Sequence, residues 1–256
     1  MKKNNNHARF FKTERISDVI CLHFAARSEY VPGMLVEIVN DLKAFLSDKE
    51  KSSSNALVFY PPPGIPSPEK FETVLAAYRE LHCRDPKYQQ DPMARHALEE
   101  ELIREINATY RLVKGIYSIN EFTVAAMSGK TVFSLFGPAL ACDLRVVAED
   151  FMLINRAPYS QLTPWGALPW FLTRFLGHAK TRALLADEKD ISAGQALELG
   201  LVDKIVRADQ LKETSVSLAQ TGALLPRTLK QAMAQVDMPL ERYLETEKSL
   251  VLSSLG

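Results

Sequence analysis

Short apolar runs alternate with helically spaced segments through the first two thirds of this chain, and helical spacing dominates the last third. Val19 to Phe24 (VICLHF) is β-branched and aromatic and reads as a strand. Met34, Leu35, Ile38, Val39, Leu42, Phe45 and Leu46 then recur at the spacing of one helical face. After the polar stretch DKEKSSSN, Ala56 to Tyr60 (ALVFY) is a continuous apolar run, the pattern of a strand buried on both faces. PPPGIPSP follows, five prolines in eight residues, which can be neither helix nor ladder and is read as a stiff loop. Glu69 to Leu81 is predicted helical, and Asp85-Pro86 breaks it. Asp91-Pro92 is an N-cap and first-turn pair, opening a long helix predicted to run to about Lys114. Phe122 to Met127, Asp143 to Ala148 and Phe151 to Asn155 are predicted strands. Trp165 to Leu176 is amphipathic, with Lys180 to Ala186 continuing past a break at Gly177. Ser192 caps a short helix ending at Gly200, Asp203 to Val206 is a last strand, and helices follow to the end. Strand–helix repeats followed by helices indicate an α/β fold with a helical tail.

Composition adds exclusions. The 256 residues are 46% hydrophobic, enough to bury a substantial core. Thirty-one basic residues balance thirty-one acidic ones, so nothing points to a nucleic-acid or membrane surface. Cys21, Cys83 and Cys142 have no CxxC spacing, and an odd, sparse count indicates a reducing compartment. The N-terminus is basic without a signal-length apolar stretch, and no apolar run approaches the roughly 20 residues that span a bilayer. The expectation is a soluble cytoplasmic protein. No metal-ligand spacing, Walker loop, dinucleotide motif or serine elbow is present, so no cofactor is expected.

Ala125 to Asp150, AAMSGKTVFSLFGPALACDLRVVAED, resembles the central signature of the crotonase (enoyl-CoA hydratase/isomerase) superfamily. Members typically read AAVNG, a linker, GGG, then LALACD and RIA. Ile191 to Val206, ISAGQALELGLVDKIV, is similar to the family's ISA-x-EAL-x-x-GLV-x-x-VV segment, and Phe175-Leu176-Gly177 to the short motif between them. The resemblance implies a ββα spiral core over residues 1–206, here with an extended helical segment about 69–115. A C-terminal helical region, 207–256, follows, shortened relative to the family. It also implies a homotrimer or hexamer, and a site in which two backbone N–H groups hold a thioester oxygen while negative charge develops on it.

Residue by residue, the resemblance places the family's first glutamate position on Gly137 and its second on Ala157; neither can accept a proton. The GGG triplet becomes Phe133-Ser134-Leu135. Ser134 or Leu135 is the candidate N–H donor of the oxyanion hole; alternatively Ser134 is an N-cap serine, and Phe133 and Leu135 fill the pocket. The other donor falls in the proline loop, where each proline removes an N–H and Gly64 and Ser67 are the candidates that could still donate. Tyr159 and Trp165 are read as substrate-binding rings, a phenol acid in the case of Tyr159, or plugs. With Phe133, Gly137 and Ala157 they would line the pocket. His82 is a weak candidate base, and adjacent Cys83 would point about 100° away on a helix. Asp143 is the family's structural aspartate.

Two functions are expected from this pattern. One is a divergent enzyme acting on an acyl thioester, on CoA or a carrier protein, by oxyanion or enolate stabilisation, with lyase, isomerase or hydrolase chemistry. The other is a non-catalytic homologue serving as a binding or scaffolding subunit. Ordinary hydration is not expected, because general acid–base work needs a titrating group within hydrogen-bond reach.

Overall fold

The structure is a computed structural model that describes residues 10–24, 34–47, 54–61, 92–155, 164–187, 189–225 and 240–253. The predicted helix Glu69–Leu81 lies outside them. Two sheets form the frame. Strands β1 (Phe11–Ile16), β2 (Val19–Phe24), β3 (Ala56–Tyr60), β4 (Phe122–Met127), β6 (Leu144–Ala148) and β9 (Lys204–Val206) make the larger sheet, in the order β1-β2-β3-β4-β6-β9. Strands β5 (Lys130–Val132), β7 (Met152–Ile154) and β8 (Ile191–Ser192) make the smaller. β4, β5, β6 and β7 alternate between the large and the small sheet, β8 stays in the small sheet and β9 returns to the large one, as in a ββα spiral.

The large sheet is parallel except for the β1–β2 hairpin. Its two faces follow from strand alternation. Val19, Cys21, Ala56, Val58, Val124, Ala126 and Val146 pack under helix α6 (Leu211–Gly222). Ile20, Leu22, Leu57, Phe59, Ala125, Met127 and Val147 face the main core. That core is completed by α1 (Met34–Leu46), α2 (Pro92–Tyr117), α3 (Gly137–Leu140), α4 (Leu168–Ala186), α5 (Ala193–Glu198) and α7 (Leu240–Ser253). The C-terminal region is therefore built into the body: α6 covers the sheet and α7 lies on α2. Close approach of α6 relies on Ala219 and Gly222; a Cβ at Gly222 would sit 2.2 Å from the Phe122 ring.

Several sequence expectations hold in detail. Ser192 accepts a hydrogen bond from the Gln195 N–H while the Gln195 side chain accepts from Ser192 N–H, a complete capping box. Gly177 interrupts α4 with φ 76°. Asp143 is structural: its carboxylate accepts from Thr123 N–H and Oγ1, both at 2.7 Å. The hydrophobic pattern does not announce β1, β5 or α3. β1 reads FKTERI, with polar and charged residues between Phe11 and Ile16; pairing with β2 and a left-handed Ser17 turn (φ 56°) make it a strand.

Candidate functional site

The resemblance places the family's first glutamate on Gly137, and the residues around Gly137 leave no room there for a side chain. β5 ends at Val132, a single 3-10 turn covers Phe133–Leu135, and α3 begins at Gly137. The sequence suggests a helix N-terminus at Ser134; the observed element is this short turn, capped by Val132 rather than by Ser134. As the second residue of the turn, Ser134 presents an N–H that has no partner inside it. Phe133 is fully buried in the main core, and Leu135 is partly buried against it.

Gly137 is buried, and a Cβ built on it would lie 1.9 Å from the Gly166 carbonyl oxygen. The corner where the resemblance places a glutamate side chain is thus occupied by backbone. That backbone belongs to the turn entering α4, where Gly166 (φ 77°) and Ala167 (φ 59°) are consecutive left-handed residues. An alanine there is strained by roughly 1–2 kcal/mol. These two left-handed residues also explain why α4 starts at Leu168 and not at Trp165, where its amphipathic pattern begins. Trp165, in this turn, is only 4% exposed and belongs to the core. Ser67, Gly64, His82, Ala157 and Tyr159 lie outside the described residues. Among the candidates, then, the structure brings together Phe133, Gly137 and Trp165 as packed core, with the Ser134 backbone at the same turn.

The turn is held from the other side by a carboxylate that the motifs do not single out. Glu247 on α7 is 1% exposed, and its Oε2 accepts the Ala167 N–H at 3.0 Å. It thereby caps a helix whose own N-cap residue, alanine, has no side-chain acceptor. The phenols of Tyr110 on α2 and Tyr243 on α7 face the same carboxyl. Burial pushes its pKa up to about 7, against the lowering pull of Ala167 N–H and the phenols. A signal is present in the periodicity: Leu240, Tyr243, Leu244 and Glu247 share one face of α7, so an acid occupies a position of the apolar stripe.

The sign of the resulting pH dependence follows. Glu247 titrates higher in the folded chain than its ordinary 4.5, so its stabilising contribution is complete below that value and is lost as pH rises through about 7. Unfolding free energy should fall by about 3 kcal/mol from this group between pH 4.5 and 9. Urea melts across that range check it, and Glu247→Gln should remove this component of the slope.

Among the described residues no group of three or more His, Cys, Asp or Glu is placed to hold a metal ion, and no helix is long and apolar enough to cross a membrane. Cys21 and Cys142 are buried and in no disulfide, and burial pushes the Cys21 thiol up to about 11.

Solved structures place this architecture in the crotonase fold. The enoyl-CoA hydratase of Bacillus halodurans superposes with a TM-score of 0.74 at 16% identity, over 96% of this chain and 95% of that one. Human mitochondrial delta3-delta2-enoyl-CoA isomerase gives 0.70 at 20% identity, over 96% and 91%. At sequence level, residues 89–254 match the family Enoyl-CoA hydratase/isomerase, and the chain belongs to that family. A curated relative, the fatty acid oxidation complex subunit alpha of Shewanella amazonensis, is 32% identical over 117 residues, 45% of this chain. The match spans only 17% of that relative's length.

Proposed function

We propose that this chain binds an acyl thioester, carried by CoA or by a carrier protein, and stabilises negative charge on its carbonyl oxygen without performing ordinary hydration. The observation that carries this reading is the corner at Gly137. The reading is supported by the 3-10 turn at Ser134 and by the Gly166 carbonyl, which lies where a side chain on Gly137 would have to go. An oxyanion donor is a backbone property and survives the loss of side chains; a general acid does not. The Ser134 N–H is the proposed donor. No cofactor enters this chemistry. A cytoplasmic location and a trimeric or hexameric assembly belong to the same proposal.

Burial of Phe133 and Trp165 beside the filled corner favours a second reading, a non-catalytic subunit that keeps the fold as a binding scaffold. Calorimetric titration with a panel of acyl-CoA thioesters separates the two. Saturable binding is expected, weakened at least about tenfold by Ser134→Pro, which deletes the N–H. Wild-type protein that binds no acyl-CoA would refute the CoA form of the thioester reading and leave carrier-protein thioesters or the scaffold role.

A further inference from the structure

Helix α7 is attached by a face that contains an acid. Over residues 240–250 its buried positions are Leu240, Leu244 and Glu247. The helix rests on α2 and adds no strand to either sheet, so it can leave without parting the sheets, and local openings of this kind cost less than global unfolding. The groups facing the Glu247 carboxyl are the Tyr110 phenol of α2, the Tyr243 phenol of α7 itself, and the Gly166 and Ala167 N–H groups of the turn entering α4. None of these is a cation. Lys114 of α2 and Glu241 of α7 pair at 3.6 Å on the exposed side of the joint, where water and salt weaken the attraction. One peptide group connects this joint to the Gly137 corner. In a planar trans peptide the C=O and N–H point in opposite directions. The Gly166 carbonyl is directed at Gly137, and the Ala167 N–H at Glu247 Oε2. Ala167 also holds a left-handed φ of 59°, which a non-glycine residue keeps only where its surroundings fix it. The hydrogen bond to Glu247 is such a fixture.

We propose that α7 is a pH-sensitive latch on an autoinhibitory contact: docked Glu247 holds the Gly166 carbonyl in the Gly137 corner, and ionisation of Glu247 releases the helix and the carbonyl together. Ionised in this joint, the carboxylate has no facing cation to offset its lost hydration, so the charge favours the undocked helix, where water reaches it. Undocking takes the acceptor away from the Ala167 N–H. The left-handed turn then relaxes, the peptide group is free to rotate, and the corner beside the Ser134 turn opens. Redocking reverses each step. The sign follows from burial, which raises the carboxyl from its ordinary 4.5 to about 7: the contribution to docking is complete below the ordinary value and is lost as pH rises through about 7. The closed corner is therefore the low-pH state. The latch works whatever ligand the Ser134 turn receives.

The test is hydrogen–deuterium exchange of the full chain, read by mass spectrometry at pH 6 and pH 8 and corrected for the intrinsic pH dependence of amide exchange. Amides of α7 and those from Ala167 to Phe171 should lose about tenfold in protection between the two, in step, while amides of β4 and β6 keep theirs. Glu247→Gln has no group to ionise there and should give α7 the same protection at both pH values. Ala167→Gly keeps the N–H and relieves the left-handed strain, so it should raise the protection of α7 as well as of the turn several-fold. It also provides the readout if the amide variant folds poorly. A pH effect that survives in Glu247→Gln, wild-type α7 equally protected at pH 6 and pH 8, or a loss spread evenly over β4 and β6 overturns the latch. A helix that loosens while the turn keeps its protection, or an Ala167→Gly effect confined to the turn, overturns its coupling to the corner.

Discussion

Gly137→Glu, at the position where the sequence resemblance puts the family's first glutamate, is expected to unfold the protein rather than to create a hydratase. The Cβ alone would lie 1.9 Å from the Gly166 oxygen and 3.0 Å from its carbonyl carbon. These are backbone atoms in a turn fixed by two left-handed residues and by the Glu247 hydrogen bond, so they cannot swing aside as a side-chain tip would. Overpacking a well-filled core costs typically about 1–3 kcal/mol. Burying a carboxylate there adds several more. The sum, upward of about 4 kcal/mol, is a large fraction of a domain's roughly 5–15 kcal/mol. Gly137→Ala isolates the steric part and should cost about 2–3 kcal/mol. Urea unfolding of both variants checks this. A Gly137→Glu protein as stable as wild type would show that the turn yields easily and that the corner is open.

Asp203→Ala is expected to cost about 3 kcal/mol, through the joint between β6 and β9. Arg145 is buried, and its guanidinium Nη2 lies 2.7 Å from Asp203 Oδ2. The same carboxylate oxygen accepts the Arg145 N–H at 2.7 Å, and Asp203 N–H donates to the Arg145 carbonyl at 2.8 Å. Removing the acid leaves a buried cation with the Cys142 carbonyl, 3.0 Å from Nη1, and the face of the Phe175 ring, 5.3 Å from Cζ. Breaking such a pair typically costs about 3–5 kcal/mol; partial exposure of Asp203 argues for the lower end. The double variant Arg145→Met with Asp203→Ala removes the stranded charge and should be more stable than Asp203→Ala alone. Equal losses in the single and double variants would mean that the charge pair is not the source of the cost.

What could be read from the chain, and what could not, divides along physical lines. β2, β3, β4 and β6 are buried on both faces, so their apolar runs announce them, and the AAMSG and ALACD segments carry the family likeness. β1 has charged residues along its length and becomes a strand through its partner, which no window of FKTERI reveals. The Gly166 carbonyl in the Gly137 corner is a contact between backbone atoms 29 residues apart in sequence, and the absence of a side chain at Gly137 gave only half of that fact. The Arg145–Asp203 joint spans 58 residues and leaves no periodic trace. Glu247 is the instructive case, because an acid on an apolar helical stripe is visible in the sequence, yet its partner Ala167 carries no polar side chain to suggest the pairing.

The central claim is that the hydratase machinery is sterically displaced from a fold that is otherwise kept. The most direct measurement is the ultraviolet absorbance of crotonyl-CoA, whose conjugated double bond is lost on hydration, incubated with purified protein at neutral pH. An absorbance that stays constant at every protein concentration is predicted. A decrease whose rate scales with protein concentration would contradict it, and would mean that a water molecule is activated in a corner where the structure leaves no room for the family's glutamate.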